Sequence, residues 1–197
     1  MESNLIRKIK SVGGIEKTLS CTNDKIQIEE GFLSIERMFN SCLPQSYKDF
    51  YTKVGSFSFL EPVCIKCIDA ESFMLKDNKV SVGNFYCISG NDELSTNKVL
   101  LTFQEQLPIG VLPIFEGELG DLICISLRRD DFESIYYFNH ESAPGRDLFL
   151  ITKGFENFIM GLEIYNDEND DLVKKMKVDY SPELIELLKK SGYGPKE

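Results

Sequence analysis

Residues 107–140, LPIGVLPIFEGELGDLICISLRRDDFESIYYFNH, decide the fold. Two apolar runs, Val111–Phe115 and Leu122–Leu127, flank Gly117, Gly120 and Asp121, and a third run of β-formers, Ser134–Phe138, follows a charged turn. Glycine and aspartate accept turn dihedrals that β-branched residues resist, so the stretch is predicted to be a three-strand antiparallel meander. Nothing in it has the look of an active site.

Around this meander the chain offers 197 residues, enough for one domain with a sizeable core and a small appendage. Its 42% hydrophobic and 27% charged content is that of a folded globular protein. With 22 Lys and Arg against 32 Asp and Glu, the net charge is −10. Such a field repels phosphate backbones and forfeits the counterion release that drives nucleic-acid binding, so direct nucleic-acid contact is not expected. The same field attracts a basic protein, such as a nuclease built to hold nucleic acid. The start, MESNLIRKIKSVGG, mixes charges into its apolar residues and is not a signal peptide. No window approaches the roughly 18 apolar residues of a membrane span, so a cytoplasmic protein is expected. In that reducing compartment Cys21, Cys42, Cys64, Cys67, Cys87 and Cys124 are expected as free, mostly core, thiols.

Asn4–Lys10 is predicted helical, stopped by Gly13 and Gly14. Residues 15–31 are polar; within them Lys25–Glu29 alternates Ile26 and Ile28 with polar neighbours, which suits a short edge strand or a loop. From Phe32 to Asn40 the apolar residues Phe32, Ile35, Met38 and Phe39 fall at helical spacing. Leu43-Pro44 breaks that helix and opens another, with Pro44 in the first turn, Tyr47, Phe50, Tyr51 and Val54 on one face, and Gly55 at its end. Strands are predicted at Phe57–Leu60, Val63–Ile68, Val80–Ile88 and Lys98–Phe103, with a helical turn over Ala70–Lys76 and a loop over Glu141–Asp147. Thr152 is the expected N-cap of a helix carrying Phe155, Phe158, Ile159 and Leu162. The domain thus runs over residues 1–165. Residues 166–197 are expected as an acidic linker and a C-terminal helix opened by Ser181-Pro182-Glu183.

The chemistry-bearing residues do not assemble into a catalyst. Cys64-Ile65-Lys66-Cys67 is a lone C-x-x-C with no second pair to complete a zinc site, and on a strand its thiols face opposite ways. His140 is the sole histidine, and Cys124 or Ser126 is its conceivable nucleophile, yet Cys124 falls inside a buried strand, where thiols are inert. Gly117-Glu118-Leu119-Gly120 lacks the G-K-[ST] ending of a phosphate loop. No catalytic residue, metal or cofactor is therefore assigned. Glu116, Glu118, Asp121, Asp130, Asp131, Glu133 and Glu141 lie at the turns of the meander, which are expected to gather several of them into a negative rim at one end of the sheet.

Leu43-Pro44-Gln45-Ser46-Tyr47-Lys48-Asp49-Phe50-Tyr51 resembles the LP-x-x-Y-x-x-F helix motif of the SUKH superfamily, the Smi/Knr-type domain. Pro108-Ile109-Gly110 and Gly120-Asp121-Leu122-Ile123-Cys124-Ile125 resemble its central signature, Ile135–Glu141 its strand ending in a His–acid pair, and Phe155 with Phe158 the start of its closing helix. Lys53-Val54-Gly55-Ser56 stands where the family usually has Asn-Gly. The resemblance implies an α+β domain, a central, mostly antiparallel twisted sheet with helices packed on one side. It also implies a non-enzymatic role. Bacterial members are immunity proteins that bind and neutralise a toxin, often a nuclease, whereas fungal members are scaffolds in cell-wall signalling. The expected function is accordingly an immunity protein that occludes the active site of a basic toxin through Glu116, Glu118, Asp121, Asp130, Asp131 and Glu133. The alternative is a non-catalytic scaffold or regulatory interaction domain.

Overall fold

The computed structural model describes residues 3–165 apart from 19–20, 22–23, 70, 72–73, 75 and 91–92. The expected linker and C-terminal helix, and most of the turn expected over Ala70–Lys76, lie outside these. The central sheet contains the meander as expected: β5 (Val111–Glu116), β6 (Leu122–Ser126) and β7 (Ser134–Phe138) pair antiparallel in that order. A fourth strand, β8 (Leu148–Lys153), continues the sheet beside β7. It corrects the reading of Thr152 as an N-cap. Thr152 pairs with Ile135 inside β8, and α5 (Phe155–Gly161) begins only after Gly154, whose φ of 87° turns the chain from strand to helix.

Two other expectations are overturned. Lys25–Glu29 is the first turn of α2 (Lys25–Phe39), not an edge strand or a loop. The Asp24 carboxylate caps it, accepting the Ile26 and Gln27 N–H groups at 2.8 and 3.1 Å. Ile28, Phe32 and Ile35, four and three residues apart, form its buried stripe, while Ile26 and Met38 face solvent. Lys98–Phe103 is helical rather than extended. In α4 (Thr96–Thr102) the Ser95 hydroxyl accepts the Lys98 N–H, and Val99 is buried. A short apolar run carries no periodicity strong enough to separate strand from helix, and here the Ser-Thr-Asn cap decides.

The remaining α-helices and β-strands are α1 (Asn4–Ser11), β1 (Ile15–Lys17), α3 (Gln45–Val54), β2 (Phe57–Phe59), β3 (Val63–Lys66), β4 (Lys79–Val82) and β9 (Glu163–Ile164). β3 lies between β4 and β9 in a small separate sheet. The α2–α3 corner is held by Glu36, which accepts the Leu43 N–H at 2.9 Å and the Lys48 ammonium at 3.0 Å.

β6 is buried along its whole length because its two faces serve two apolar layers. Ile123 and Ile125 join Leu112, Ile135, Tyr137 and Ile151 in the main core beneath α1, α2, α3 and α5. Leu122 and Cys124 join Val111, Phe138, Tyr86 and Val99 in a smaller layer covered by α4. The helices expected on one side are there, and α4 adds a cover on the other.

Aromatic rings fill the main core. Phe85 bridges β2 and β5 through paired backbone contacts with Phe57 and Phe115, and its ring lies 5.2 and 4.5 Å from theirs. Tyr47, Phe50 and Tyr51 of α3 press on Phe85 at 5.8, 5.8 and 5.4 Å. Phe155 sits 5.4 Å from both Tyr47 and Phe50.

Cys21 and Cys87 are joined as a disulfide with Cα atoms 5.9 Å apart, which corrects the reading of all six cysteines as free. The two are 66 residues apart in sequence, a separation that gives no local sign of the pairing. Cys42 is exposed and Cys64, Cys67 and Cys124 are buried, all four unbridged. Among the described residues no helix is long and apolar enough to cross a membrane.

The ring stack sets a stability contrast. Phe85→Ala is expected to lower unfolding stability by about 3–5 kcal/mol in urea titrations, whereas Leu119→Ala, at a residue 93% exposed, is expected to change it by less than about 0.5 kcal/mol.

Candidate functional site

The β5–β6 turn is built around Asp121. Leu119 and Gly120 take positive φ of 53° and 93°, and Gly117 N–H donates to the Asp121 carbonyl at 2.8 Å. A Cβ on Gly117 would lie 2.9 Å from that same carbonyl group, so glycine is required for the close approach. This geometry turns the Asp121 carboxylate inward, where it is 7% exposed. It accepts the Tyr137 hydroxyl at 2.7 Å and the His140 backbone N–H at 3.0 Å, and it lies 2.6 Å from His140 Nδ1. Burial, then the hydrogen bond to Asp121 and its charge, push the Tyr137 phenol up. Asp121 thus fastens the β5–β6 turn to the end of β7 and presents little surface to a partner.

The other acids divide between opposite ends of the sheet, because successive turns of a meander lie at opposite ends of its strands. Glu116 and Glu118 share the Asp121 end. Glu116 accepts the Asn84 amide at 2.5 Å, and exposed Glu118 receives a long 3.4 Å bond from Ser81. Asp130, Asp131 and Glu133 stand at the β6–β7 end. Asp130 is exposed, while Asp131 binds Arg128, the Ser126 hydroxyl at 2.6 Å and the Tyr136 hydroxyl at 2.8 Å. Burial opposes the Asp131 charge, but the hydrogen bonds from Arg128, Ser126 and Tyr136 and the Arg128 charge outweigh it and hold the carboxyl at about 2. Glu133, at a φ of 67°, accepts the Ser46 hydroxyl and the Phe155 N–H, tying the turn to α3 and α5. Of the seven acids, Glu118, Asp130 and Glu141 are the exposed ones.

Neither conceivable nucleophile is poised to attack. Cys124 is fully buried and burial pushes its thiol well up, the reverse of an activated nucleophile. Ser126 spends its hydroxyl on Asp131. Cys67 joins the main core with Val63 and Ile65, whereas Cys64 is buried outside that core, so the C-x-x-C divides as strand parity requires. Among the described residues no three His, Cys, Asp or Glu side chains are grouped to hold a metal ion.

One surface feature has the composition of a contact site. A cleft of about 570 Å³ opens between α2, α4 and residues 107–111, lined by Met38, Phe39, Leu100, Leu101, Leu107 and Ile109 among others. Met38 is 60%, Leu101 65% and Ile109 96% exposed. Apolar side chains grouped in this way on a surface mark interaction sites more often than isolated ones do. The cleft is not legible in the sequence, where Lys98–Phe103 reads as a strand and helical spacing alone does not say which of Phe32, Ile35, Met38 and Phe39 is buried. The signal that could have found it is the 28–32–35 stripe of α2, which leaves Met38 off the core face.

The family model described as SMI1/KNR4 family (SUKH-1) matches residues 27–161. A curated relative, the SPbeta prophage-derived uncharacterized protein YokK of Bacillus subtilis (strain 168), is 30% identical over 169 residues, covering 78% of this chain and 85% of the relative.

Two measurements check the geometry. Asp121→Ala leaves the Tyr137 hydroxyl and the His140 N–H without their acceptor and is expected to cost about 1–3 kcal/mol in urea unfolding. For Asp131 the folded value near 2 lies below the ordinary 3.8, so its contribution to stability is present above about pH 4 and is lost as pH falls toward 2. The gap in urea midpoint between wild type and Asp131→Asn is accordingly expected to narrow between about pH 5 and about pH 2.

Proposed function

The chain belongs to the SMI1/KNR4 family (SUKH-1), and from that premise we propose that it is an immunity protein which binds a basic toxin domain and covers its active site. The observation that carries this reading is the family match, which spans nearly all of α2, then α3, α4, α5 and the whole central sheet. The prophage origin of the Bacillus relative supports it, since toxin and immunity pairs suit mobile elements. In this reading the protein acts in the cytoplasm and performs no chemistry of its own.

The net charge of −10 supports electrostatic attraction of a basic partner. Glu118 and Asp130, exposed at opposite ends of the sheet, supply the freest charges, and Glu116, Asp131 and Glu133 add to the field from partly buried positions. Asp121 is withdrawn from the contact set because its carboxylate is buried. The apolar cleft between α2 and α4 provides desolvated contact area of the kind found at the centre of protein interfaces, and a basic toxin is the occupant that the acidic charge favours.

Co-expression with a toxin encoded by a neighbouring reading frame tests the reading. Growth rescue and co-purification are expected, and a toxin that kills unchanged while this chain is abundant overturns it. Glu118→Lys with Asp130→Lys is expected to slow association about tenfold at low salt and to flatten its salt dependence. An unchanged on-rate removes these acids from the mechanism.

A further inference from the structure

Cys87 occupies a junction. Its N–H donates to the Leu94 carbonyl at 2.7 Å, and its carbonyl accepts the N–H of Thr96, the first residue of α4, at 2.8 Å. The next residue, Ile88, donates its N–H to the Tyr51 hydroxyl of α3 at 2.9 Å. The Ile88 carbonyl abuts Gly31 of α2, where a Cβ would come within 2.9 Å of it. One covalent bond from Cys21, three residues before the Asp24 cap of α2, therefore reaches a point on which α2, α3 and α4 all lean. Two of those helices wall the apolar cleft.

The stretch after Cys87 is incompletely satisfied. Among the described residues, the buried side-chain polar atoms without a hydrogen-bond partner are Ser89 Oγ, Thr96 Oγ1 and Asn97 Oδ1. Buried polar groups are nearly always paired, and these three, within ten residues of the bridge, lack that stabilisation. The aromatic layer, by contrast, joins Tyr47, Phe57, Phe85 and Phe155 without involving the bridge.

We propose that the Cys21–Cys87 bridge is a reversible thiol–disulfide clasp that sets how firmly Cys87 and Thr96, and with Thr96 the start of α4, are held against α2 and α3. Cys87 is fully buried and Cys21 is 8% exposed, so exchange with a small-molecule thiol of the glutathione class begins at Cys21. The incoming thiolate attacks Cys21 Sγ and forms a mixed disulfide, and Cys87 Sγ departs with the electron pair and takes up a proton. A second thiolate then attacks the small-molecule sulfur of the mixed disulfide, releasing the Cys21 thiolate, which is protonated, and a small-molecule disulfide. Two thiols are oxidised as the bridge is reduced, and the reverse sequence restores it. Disulfides in reducing compartments are characteristically transient and redox-sensing, so the physiological sense of the clasp rests on the cytoplasmic reading above. Its chemistry does not.

The test uses the purified full chain equilibrated across a series of reduced and oxidised glutathione ratios. Each sample is alkylated, analysed by mass spectrometry, and measured in parallel for amide exchange. The bridge is expected to open and close reversibly along the series, with exchange at the Cys87 and Thr96 amides rising about tenfold or more on opening while the Ile123 and Ile125 amides stay protected. Cys21→Ser is expected to exchange at the opened rate at every ratio. The proposal is overturned if Cys21 and Cys87 remain unlinked throughout, if the bridge persists under full reduction, or if exchange at Thr96 ignores the redox state. No toxin enters this experiment, so its failure leaves the immunity reading standing, and a failed rescue leaves the clasp standing.

Discussion

Phe85 holds the architecture together. Its N–H donates to the Phe57 carbonyl at 2.8 Å, and it bridges to Phe115 on its other side, so a single extended residue links the β1–β2 pair to the edge of the four-stranded sheet. Its ring also lies under α3, in contact distance of Tyr47, Phe50 and Tyr51. Backbone pairing fixes position and ring packing supplies energy at the same residue. Aromatic pairs add roughly 0.5–1.5 kcal/mol beyond area burial, and the repeated edge-to-face contacts here fix one packing of α3 and α5 on the sheet.

With that core closed, the polar groups sort by reach. Asp121 and Glu133 each satisfy donors from distant elements, Asp121 across the β5–β6 turn to Tyr137 and His140, Glu133 from the β6–β7 turn to Ser46 and Phe155. They bind the ends of the sheet together. The more exposed side chains, Glu118 and Asp130 among the acids and Met38, Leu101 and Ile109 among the apolar residues, are those a partner can meet.

How much of this was legible in the sequence follows from the range of each signal. The meander and α3 with its Tyr47–Phe50–Tyr51–Val54 face rest on local periodicity and turn chemistry and form as expected, and so does α5 apart from its N-cap. Ile26 and Ile28 imitated a strand's alternation because the partners that fix Ile28 on a helical stripe, Phe32 and Ile35, lie beyond a five-residue window. α4 and β8 were lost for the same reason, as short apolar runs whose state is set by what they pack on. The family motifs located Asp121 correctly but not its orientation. That depends on Gly117 coming close enough to admit the Asp121 carbonyl, and on a tyrosine sixteen residues away. The Cys21–Cys87 pairing, between distant residues, was out of reach altogether.

In the proposed reading this domain works by presenting a surface, while the buried Asp121 and Cys124 and the half-buried His140 serve the structure. Amide exchange of the chain with and without the proposed toxin partner tests it most directly. Protection is expected over residues 34–39 and 97–111, around the cleft, with no change at the Tyr137 and His140 amides. Protection confined to residues 121–140, with the cleft untouched, would contradict it.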